Sequence, residues 1–442
     1  MAVQNLSSLL ASWLLSAMLL ATLSFSASAL DPIVTQEPMQ GVPPARESQV
    51  TMQNYREYPM NKWAFRNAGA PLNIVMIPRA GTIFPLPGPS KPALGQRLFT
   101  TAQGQQQSFD DLFESNYADG VVVMKGNRLV YEKYFHGFHA DAQHIWFSMS
   151  KSMASSAFGL LVAKGKVDLN ASPADYIPEL KGSGFERVTI QHVLDHATAI
   201  DFKETYTDFT SDFALKYAPA MNMGYLPGAR DAQPSNTKIL GVHDFLAQDI
   251  KPDLSIEPGS NFDYNSTNAD LLGWLIARIS GQPVEEFLQK NIWAKLGAEH
   301  DAYIAVDRAF MPVMTGGVNT TLRDAARFGM MIRDRGRFNG QQVIPKKWVD
   351  ASLEITPTLR ANMAKNPNYG EEPWTAYHNM WWILDETIGE YCAVGIHGQI
   401  IYINRKADTV MTWFSSQPVA GAARNLNFRA KLQAARELAR TL

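Results

Sequence analysis

The sequence predicts an α/β protein of the α+β type. One antiparallel sheet takes strands from the N- and C-terminal parts, with helices on its faces and a mainly helical region inserted between them. Three observations predict it: a β-hairpin signal at 120–131, helical patterns through the middle of the chain, and strand-like segments at 381–413 followed by an amphipathic helix. Strands at both ends of a chain with helices between them are typical of a single sheet covered by helices.

Each element has its own local signal. Val121, Val122 and Val123 precede the turn Lys125-Gly126-Asn127, which predicts the hairpin. Thr189 is a candidate cap for a short helix, and Gly281 is a candidate C-terminal stop. The predicted helices lie at 148–164, after 189, at 267–280, at 322–333 and from about 421 to 442. The predicted C-terminal strands lie at 381–384, 392–396, 399–403 and 409–413.

Composition limits the class of protein. The chain has 442 residues, of which 46% are hydrophobic, so it can bury a large core. Its formal net charge is −2 with both signs mixed, so nothing suggests a nucleic acid or an anionic membrane surface as a partner. The single cysteine, Cys392, allows no internal disulfide. The sequence leaves the oligomeric state open.

The first 29 residues differ from the rest. Residues 9–25 are apolar and uncharged, and Ser26-Ala27-Ser28-Ala29 ends in a small-x-small pattern. We interpret 1–29 as a secretory signal peptide cleaved after Ala29, which implies a periplasmic or secreted protein without stable membrane contact. An uncleaved membrane anchor is the alternative. Residues 30–95 are predicted to form an irregular N-terminal arm, and 96–442 the main domain.

The candidate chemistry starts at Ser148 and Lys151. Positions i and i+3 share a helix face, so the lysine amine reaches the serine hydroxyl without distortion. A serine needs a base to become a nucleophile, and a buried neutral lysine is such a base. The helix N-terminus directs free N–H groups at charge that develops nearby. This pattern predicts an acyl-transfer site.

These motifs have two other interpretations besides an acyl-transfer site: a chance Ser-x-x-Lys match and a metal site at two histidines. A Ser-x-x-Lys sequence also arises by chance, as a capping serine with a solvated lysine, and a second copy occurs at Ser235 and Lys238. His192 and His196 have metal-ligand spacing, but no third ligand or glutamate base accompanies them, so a packed helix is the preferred interpretation.

Residues 199–255 lack clean periodicity, and we expect them, with 374–382, to line a binding cleft.

Several stretches together resemble the penicillin-recognising serine hydrolase superfamily. That superfamily includes class C β-lactamases, D-Ala-D-Ala carboxypeptidases, esterases and 6-aminohexanoate-dimer hydrolases. The segments at 63–67 and 393–399 are more similar to the last branch than to the β-lactamases. The resemblance covers roughly residues 95–440 and implies a β-lactamase/transpeptidase-like fold. The stretches that carry it are 147–152, 188–194, 258–266, 271–273, 316–317 and the strands around Gly395 and Val410.

The resemblance implies roles for particular residues. Ser148 matches the nucleophile and Lys151 its base. Tyr264 matches the tyrosine of the family's Y-x-N motif, which shuttles a proton to the leaving group. Gly395 matches the glycine of K-T-G, so the backbone N–H groups of Ser148 and Ile396 would form the oxyanion hole.

Two departures from the family pattern bear on the substrate. Ser266 stands where the family has Asn, and Ala393 stands where K-T-G has its lysine. Without that cation, a penicillin or peptidoglycan carboxylate is disfavoured as the preferred ligand. His397 is the candidate that could replace it. Tyr206 lies in a stretch resembling one that contacts the scissile amide in the 6-aminohexanoate branch, so it is a second candidate substrate-binding residue.

The sequence therefore predicts a serine hydrolase that cleaves a small amide or ester through an acyl-enzyme, with no metal or organic cofactor. The chain contains neither G-x-S-x-G nor H-E-x-x-H, which leaves Ser148 as the best nucleophile. A β-lactamase or D-Ala carboxypeptidase is the alternative within the same fold. A non-catalytic binding protein that retains the fold is the alternative from another class.

Overall fold

A computed structural model describes residues 37–101, 104–224, 239–370, 373–421 and 426–442. The predicted signal peptide at 1–29 and the second Ser-x-x-Lys, Ser235 to Lys238, lie outside these ranges and stay predictions. Within them, no helix is long and apolar enough to cross a membrane.

The described residues form short strands and short to medium-length helices. The strands are β1 Ile74–Ile77, β2 Leu98–Thr100, β3 Gln106–Ser108, β4 Ala118–Lys125, β5 Arg128–Tyr134, β6 Gln143–Ile145, β7 Ala302–Ala305, β8 Val318–Thr321, β9 Arg337–Phe338, β10 Gln341–Gln342, β11 Ala376–His378, β12 Trp381–Asp385, β13 Glu390–Gly395, β14 Gln399–Asn404 and β15 Thr409–Ser415. The helices are α1 Met60–Ala64, α2 Phe109–Ser115, α3 Met149–Ala163, α4 Pro173–Tyr176, α5 Ile190–Leu194, α6 Ala218–Met221, α7 Val242–Gln248, α8 Thr267–Ser280, α9 Val284–Asn291, α10 Leu322–Arg333, α11 Lys346–Ala351, α12 Pro357–Lys365 and α13 Leu426–Thr441.

The main sheet joins the two ends of the chain, as predicted. Its seven antiparallel strands run in the order β11-β12-β13-β14-β15-β4-β5. The N-terminal hairpin therefore pairs with the last strand, with Thr412 opposite Val122. All residues of β14 and β15 are buried, which requires cover on both faces of the sheet. Helix α10 packs on β14, β15 and β4, while α2 packs on β4 and α13 on α2.

The helices between these strands begin and end close to the predicted residues. Thr189 caps α5, its hydroxyl oxygen accepting the His192 backbone N–H at 3.1 Å. Helix α8 ends at Gly281, which adopts a left-handed φ of 70° that glycine reaches without steric cost. The bounds predicted for α8 and α10 are confirmed. Capping residues and apolar periodicity carry that information locally.

The N-terminal arm is more ordered than its composition suggests. Tyr55 and Phe65 are completely buried, and α1 and β1 are regular elements. Strand β1 pairs with β7 at the edge of a second sheet, ordered β1-β7-β8-β6, that the sequence did not predict. Its strands are three or four residues long, and β1 and β6 lie far from β7 and β8 in sequence, so a local sequence pattern carries little signal for them. The boundary at residue 95 stays a prediction.

Candidate active site

Ser148 lies at a sharp bend before α3. The preceding residue, Phe147, has a φ of 46°, which is unusual for a bulky side chain, and Ser148 then takes helical angles as the N-cap of α3. Its hydroxyl makes no capping hydrogen bond. The side chain is therefore held at the helix N-terminus with its oxygen available to another group.

Lys151 supplies that group. Its Nζ donates to Ser148 Oγ at 2.8 Å and to the Thr315 carbonyl oxygen at 2.9 Å. The lysine is 1% exposed, and burial lowers its pKa to about 8, against the opposing charges of Glu204 and Asp270. At pH values near 8 a substantial fraction of Lys151 is therefore neutral, as a base for Ser148 must be.

Asp270, on α8, lies behind the pair and was not singled out in the sequence. It accepts the Thr315 backbone N–H at 2.9 Å and the Tyr217 hydroxyl at 2.5 Å. Burial raises the pKa of Asp270 to about 6 in spite of these hydrogen bonds and the Lys151 charge. When ionised, Asp270 stabilises the Lys151 ammonium and holds in place the Thr315 segment to which the lysine donates.

Tyr264 completes the predicted group. Lys151 Nζ lies 5.2 Å from the Tyr264 ring centroid. The tyrosine stacks on Trp382 at 5.3 Å and packs against His196 at 4.9 Å. Burial, followed by the Glu204 charge, raises the Tyr264 pKa well above its usual value, while a hydrogen bond with Ser148 acts in the opposite direction. The structure thus brings Ser148, Lys151 and Tyr264 together, with the phenol in its protonated form.

Glu204 lies beside Tyr264 and Ser266, and it is a second site residue that was not identified from the sequence. It accepts the Ser266 backbone N–H at 2.6 Å and a hydrogen bond from the Tyr206 hydroxyl. The Tyr206 hydroxyl and the Ser266 backbone N–H therefore both donate to the Glu204 carboxylate. Glu204 lies two residues before Tyr206 in the 199–255 stretch, and that proximity was the available sequence signal.

Gly395 and Ile396 end β13 next to the nucleophile. A Cβ at Gly395 would lie 2.3 Å from the Trp146 carbonyl oxygen, so only glycine allows this approach of β13 to the Ser148 segment. Ile396 lines the same cavity as Ser148. That placement meets the first requirement of an oxyanion hole at the two backbone amides, whose contact with substrate stays a prediction.

The structure does not support a substrate contact for His397. The side chain is completely buried, packs between Phe65 and Phe147, and makes a hydrogen bond to the Gln417 carbonyl oxygen at 2.7 Å. Burial lowers the His397 pKa to about 4, so it is neutral near pH 7. Its φ of 60° places it outside the strands, in a turn between β13 and β14.

The predicted helix histidines form separate contacts. His196 lies beyond α5, and its Nδ1 accepts the Asn265 backbone N–H at 2.9 Å, at the end of the Tyr264 segment. His192 Nδ1 instead accepts the Thr189 N–H at 3.3 Å as part of the α5 capping box. The packed-helix interpretation therefore accounts for His192, while His196 supports the Tyr264 ring.

A cavity lies beside Ser148, with about 340 Å³ of empty space that is partly open to solvent. Much of its wall comes from the predicted 199–255 stretch, which contains a turn of π-helix at Phe213–Tyr217 and the short helices α6 and α7. Segment 374–382 does not line it; Trp382 reaches the site only through the Tyr264 ring. The lining residues are Arg56, Phe147, Ser148, Tyr206, Phe213, Tyr217, Met221, Met223, Ser266, Thr315, Gly316 and Ile396.

The chain is similar over most of its length to proteins of one known family. Residues 109–436 match the family model described as Beta-lactamase. The 6-aminohexanoate-dimer hydrolase of Paenarthrobacter ureafaciens is 31% identical over 378 residues, 85% of this chain and 90% of that protein. A solved Bacillus anthracis structure, provisionally named a 6-aminohexanoate-dimer hydrolase, is 25% identical with a TM-score of 0.77, covering 90% of this chain and 98% of its own.

More distant structures share the fold alone. The penicillin-binding protein of Bacillus halodurans is 17% identical with a TM-score of 0.54, over 74% of this chain and 99% of its own.

The chain belongs to the beta-lactamase family, and it is an enzyme, a serine hydrolase of the β-lactamase and penicillin-binding-protein superfamily. Within that superfamily, it is similar over most of its length to 6-aminohexanoate-dimer hydrolase.

Proposed function

We propose that this enzyme cleaves small amides or esters through a covalent acyl-enzyme on Ser148. The observation that carries the proposal is the 2.8 Å hydrogen bond between buried Lys151 and Ser148 Oγ beside a partly open cavity. The similarity to 6-aminohexanoate-dimer hydrolase supports a linear amide as one substrate. The mainly apolar cavity wall supports a short alkyl chain on the substrate.

The proposed reaction has two halves. Neutral Lys151 takes the Ser148 proton as Oγ bonds to the carbonyl carbon, and the resulting oxyanion lies on the Ser148 and Ile396 N–H groups. Tyr264 gives its proton to the departing nitrogen or oxygen as that bond breaks, and it is reprotonated from Lys151. Water then attacks the acyl carbon and gives a proton to Lys151. The bond between that carbon and Ser148 Oγ breaks, and Lys151 passes the proton to Oγ, which restores the serine hydroxyl and the neutral lysine as the acid departs.

A substrate panel tests this proposal. Purified protein is incubated with p-nitrophenyl butyrate, the linear dimer of 6-aminohexanoate and a chromogenic cephalosporin. Turnover of the ester or the dimer supports the proposal, and the ratio of the two rates assigns the ester or amide preference. Turnover of the cephalosporin alone would replace the proposal with a β-lactamase. No turnover, together with no labelling by a fluorophosphonate, would favour the non-catalytic binding protein.

Replacing Tyr264 by phenylalanine is expected to lower kcat about a hundredfold, because it removes a proton donor while keeping the ring that packs on Trp382. The loss should be larger for an amide than for a p-nitrophenyl ester, whose leaving group departs without a proton. Steady-state kinetics on both substrates measure it. Tyr377→Phe is the matched control, because that hydroxyl makes only a 3.5 Å contact with His196. Equal losses on amide and ester would contradict the donor role.

The pH dependence of kcat/KM should follow the ionisation of Lys151. The lysine is inactive as an ammonium and active when neutral, so kcat/KM should rise with pH through a midpoint near 8. The Asp270 charge raises the Lys151 pKa, so Asp270→Asn should move the midpoint to lower pH. Profiles of p-nitrophenyl butyrate hydrolysis measure both. Exposed Glu257→Gln is the control and should leave the midpoint in place. A midpoint that stays or moves upward in Asp270→Asn would contradict this account.

A further inference from the structure

The N-terminal arm places a cation in the active-site cavity. Arg56 is 6% exposed and lines the same cavity as Ser148. Its guanidinium carbon lies 6.0 Å from the centroid of the Phe147 ring, which directly precedes the nucleophile. The charge is also close enough to Tyr206 to oppose the rise that burial causes in that tyrosine's pKa. Arg56 is therefore part of the wall that a bound substrate meets.

The polar contacts of Arg56 are with neutral groups. Nε donates to the Tyr55 hydroxyl at 2.9 Å, and Nη2 donates to the Met223 carbonyl oxygen at 3.1 Å. A guanidinium has five N–H donors, so these two bonds leave donors for another partner. No carboxylate among the described residues forms an ion pair with Arg56.

Other buried arginines in the chain are paired differently. Arg327 is completely buried and donates to both Asp324 and Glu299, at 3.0 and 2.7 Å. A buried charge without a counter-ion is costly, and proteins usually pair it. In the cavity wall, Arg56 is the one charged residue among those described. The nearby carboxylate of Glu204 is occupied by Tyr206 and Ser266.

We propose that Arg56 binds a carboxylate of the substrate, which makes the enzyme selective for amides or esters that carry a carboxylate a few bonds from the scissile carbonyl. The proposal rests on the proposed acyl-enzyme function. It changes the conclusion drawn from Ala393, whose side chain is buried in β13 and provides no cation. The substrate carboxylate would be bound by Arg56 of the N-terminal arm, beside the Phe147 ring, instead of by a lysine in the strand that ends at Gly395.

Two matched substrate pairs test the selectivity. The acyl-side pair is p-nitrophenyl hydrogen adipate and its methyl ester. The leaving-group pair is the butyrate ester of 4-hydroxybenzoate and that of methyl 4-hydroxybenzoate. The measured quantity is the ratio of kcat/KM for acid over neutral ester within one enzyme, divided by the same ratio of the uncatalysed rate constants, because the carboxylate and the methyl ester activate the leaving group to different degrees. Wild type, Arg56→Met and Arg56→Lys are compared, so a change in overall activity cancels in the ratio.

Wild type should prefer the acid in one pair by about tenfold to a hundredfold, the range expected for a charge-assisted hydrogen bond. Arg56→Met should bring that ratio to about one, and Arg56→Lys should restore part of it. In wild type alone, glutarate should inhibit p-nitrophenyl butyrate hydrolysis competitively and glutaramide should not, which tests the site even if a variant fails to fold.

The pair that shows the preference also assigns the carboxylate to the acyl or the leaving-group side. A corrected ratio of about one in both pairs, or a preference that survives in Arg56→Met, would overturn the proposal while leaving the acyl-enzyme mechanism intact. Absence of turnover with every ester, p-nitrophenyl butyrate included, would instead overturn the proposed function on which it rests.

Discussion

Replacing Ser148 by alanine is expected to reduce turnover of every ester and amide about ten-thousand-fold or more, because the acyl-enzyme then has no oxygen on which to form. The fold should persist, since the Ser148 hydroxyl makes no helix cap and the side chain sits at the cavity edge. Circular dichroism and steady-state kinetics on p-nitrophenyl butyrate separate loss of catalysis from loss of structure.

The same helix offers a matched control for this substitution. Ser155 is completely buried in α3, and the described part of the chain shows no hydrogen-bond partner for its hydroxyl. Ser155→Ala should therefore retain both fold and activity. If Ser148→Ala were as active as Ser155→Ala, the nucleophile would lie elsewhere.

Replacing Lys151 by methionine has the second largest expected effect. Methionine fills much of the same buried volume but cannot take the Ser148 proton, so kcat/KM should fall about a thousandfold or more. The loss is expected on activated esters as well as amides, because the proton leaves Ser148 in the first step with either substrate. Removing the Lys151 charge should also leave Asp270 with a higher pKa, since the lysine acts to lower it.

Lys164, exposed at the C-terminal end of α3, provides the control, and Lys164→Met should behave as wild type. The pH dependence of the residual activity tests the base role. Without Lys151 only solvent hydroxide is left to take the Ser148 proton, so the residual kcat/KM of Lys151→Met should keep rising with pH and show no plateau above about pH 8. A Lys151→Met profile that levels off near pH 8, as in wild type, would contradict the base role.

The helices of the central region and the strands of the main sheet could be predicted from the sequence because the signals for them are local. Gly281 and Thr189 are capping residues whose physics acts within one turn, and α8 and α10 follow from them and from apolar periodicity. The joining of the two chain ends in one sheet followed from strand patterns at both ends. The Ser148–Lys151 contact followed from helix spacing alone.

What the sequence did not predict depends on contacts between distant segments. Glu204, Asp270 and Arg56 acquire their positions only when the insertion, α8 and the arm fold around Ser148, and their spacing matches no motif. The direction of the His397 side chain depends on the left-handed backbone of His397 itself, which carries no sequence motif. Tyr206 was placed at the cavity, but its pairing with Glu204 needed the structure.

The most direct test of the central claim is intact-protein mass spectrometry of an acyl-enzyme. Wild type is mixed with p-nitrophenyl butyrate, quenched in acid during turnover, and compared with Ser148→Ala treated in the same way. The account predicts a mass increase of one butyryl group in wild type, located by peptide mapping at Ser148, and none in the variant. A butyryl group mapped to another residue, or equal acylation of Ser148→Ala, would contradict it.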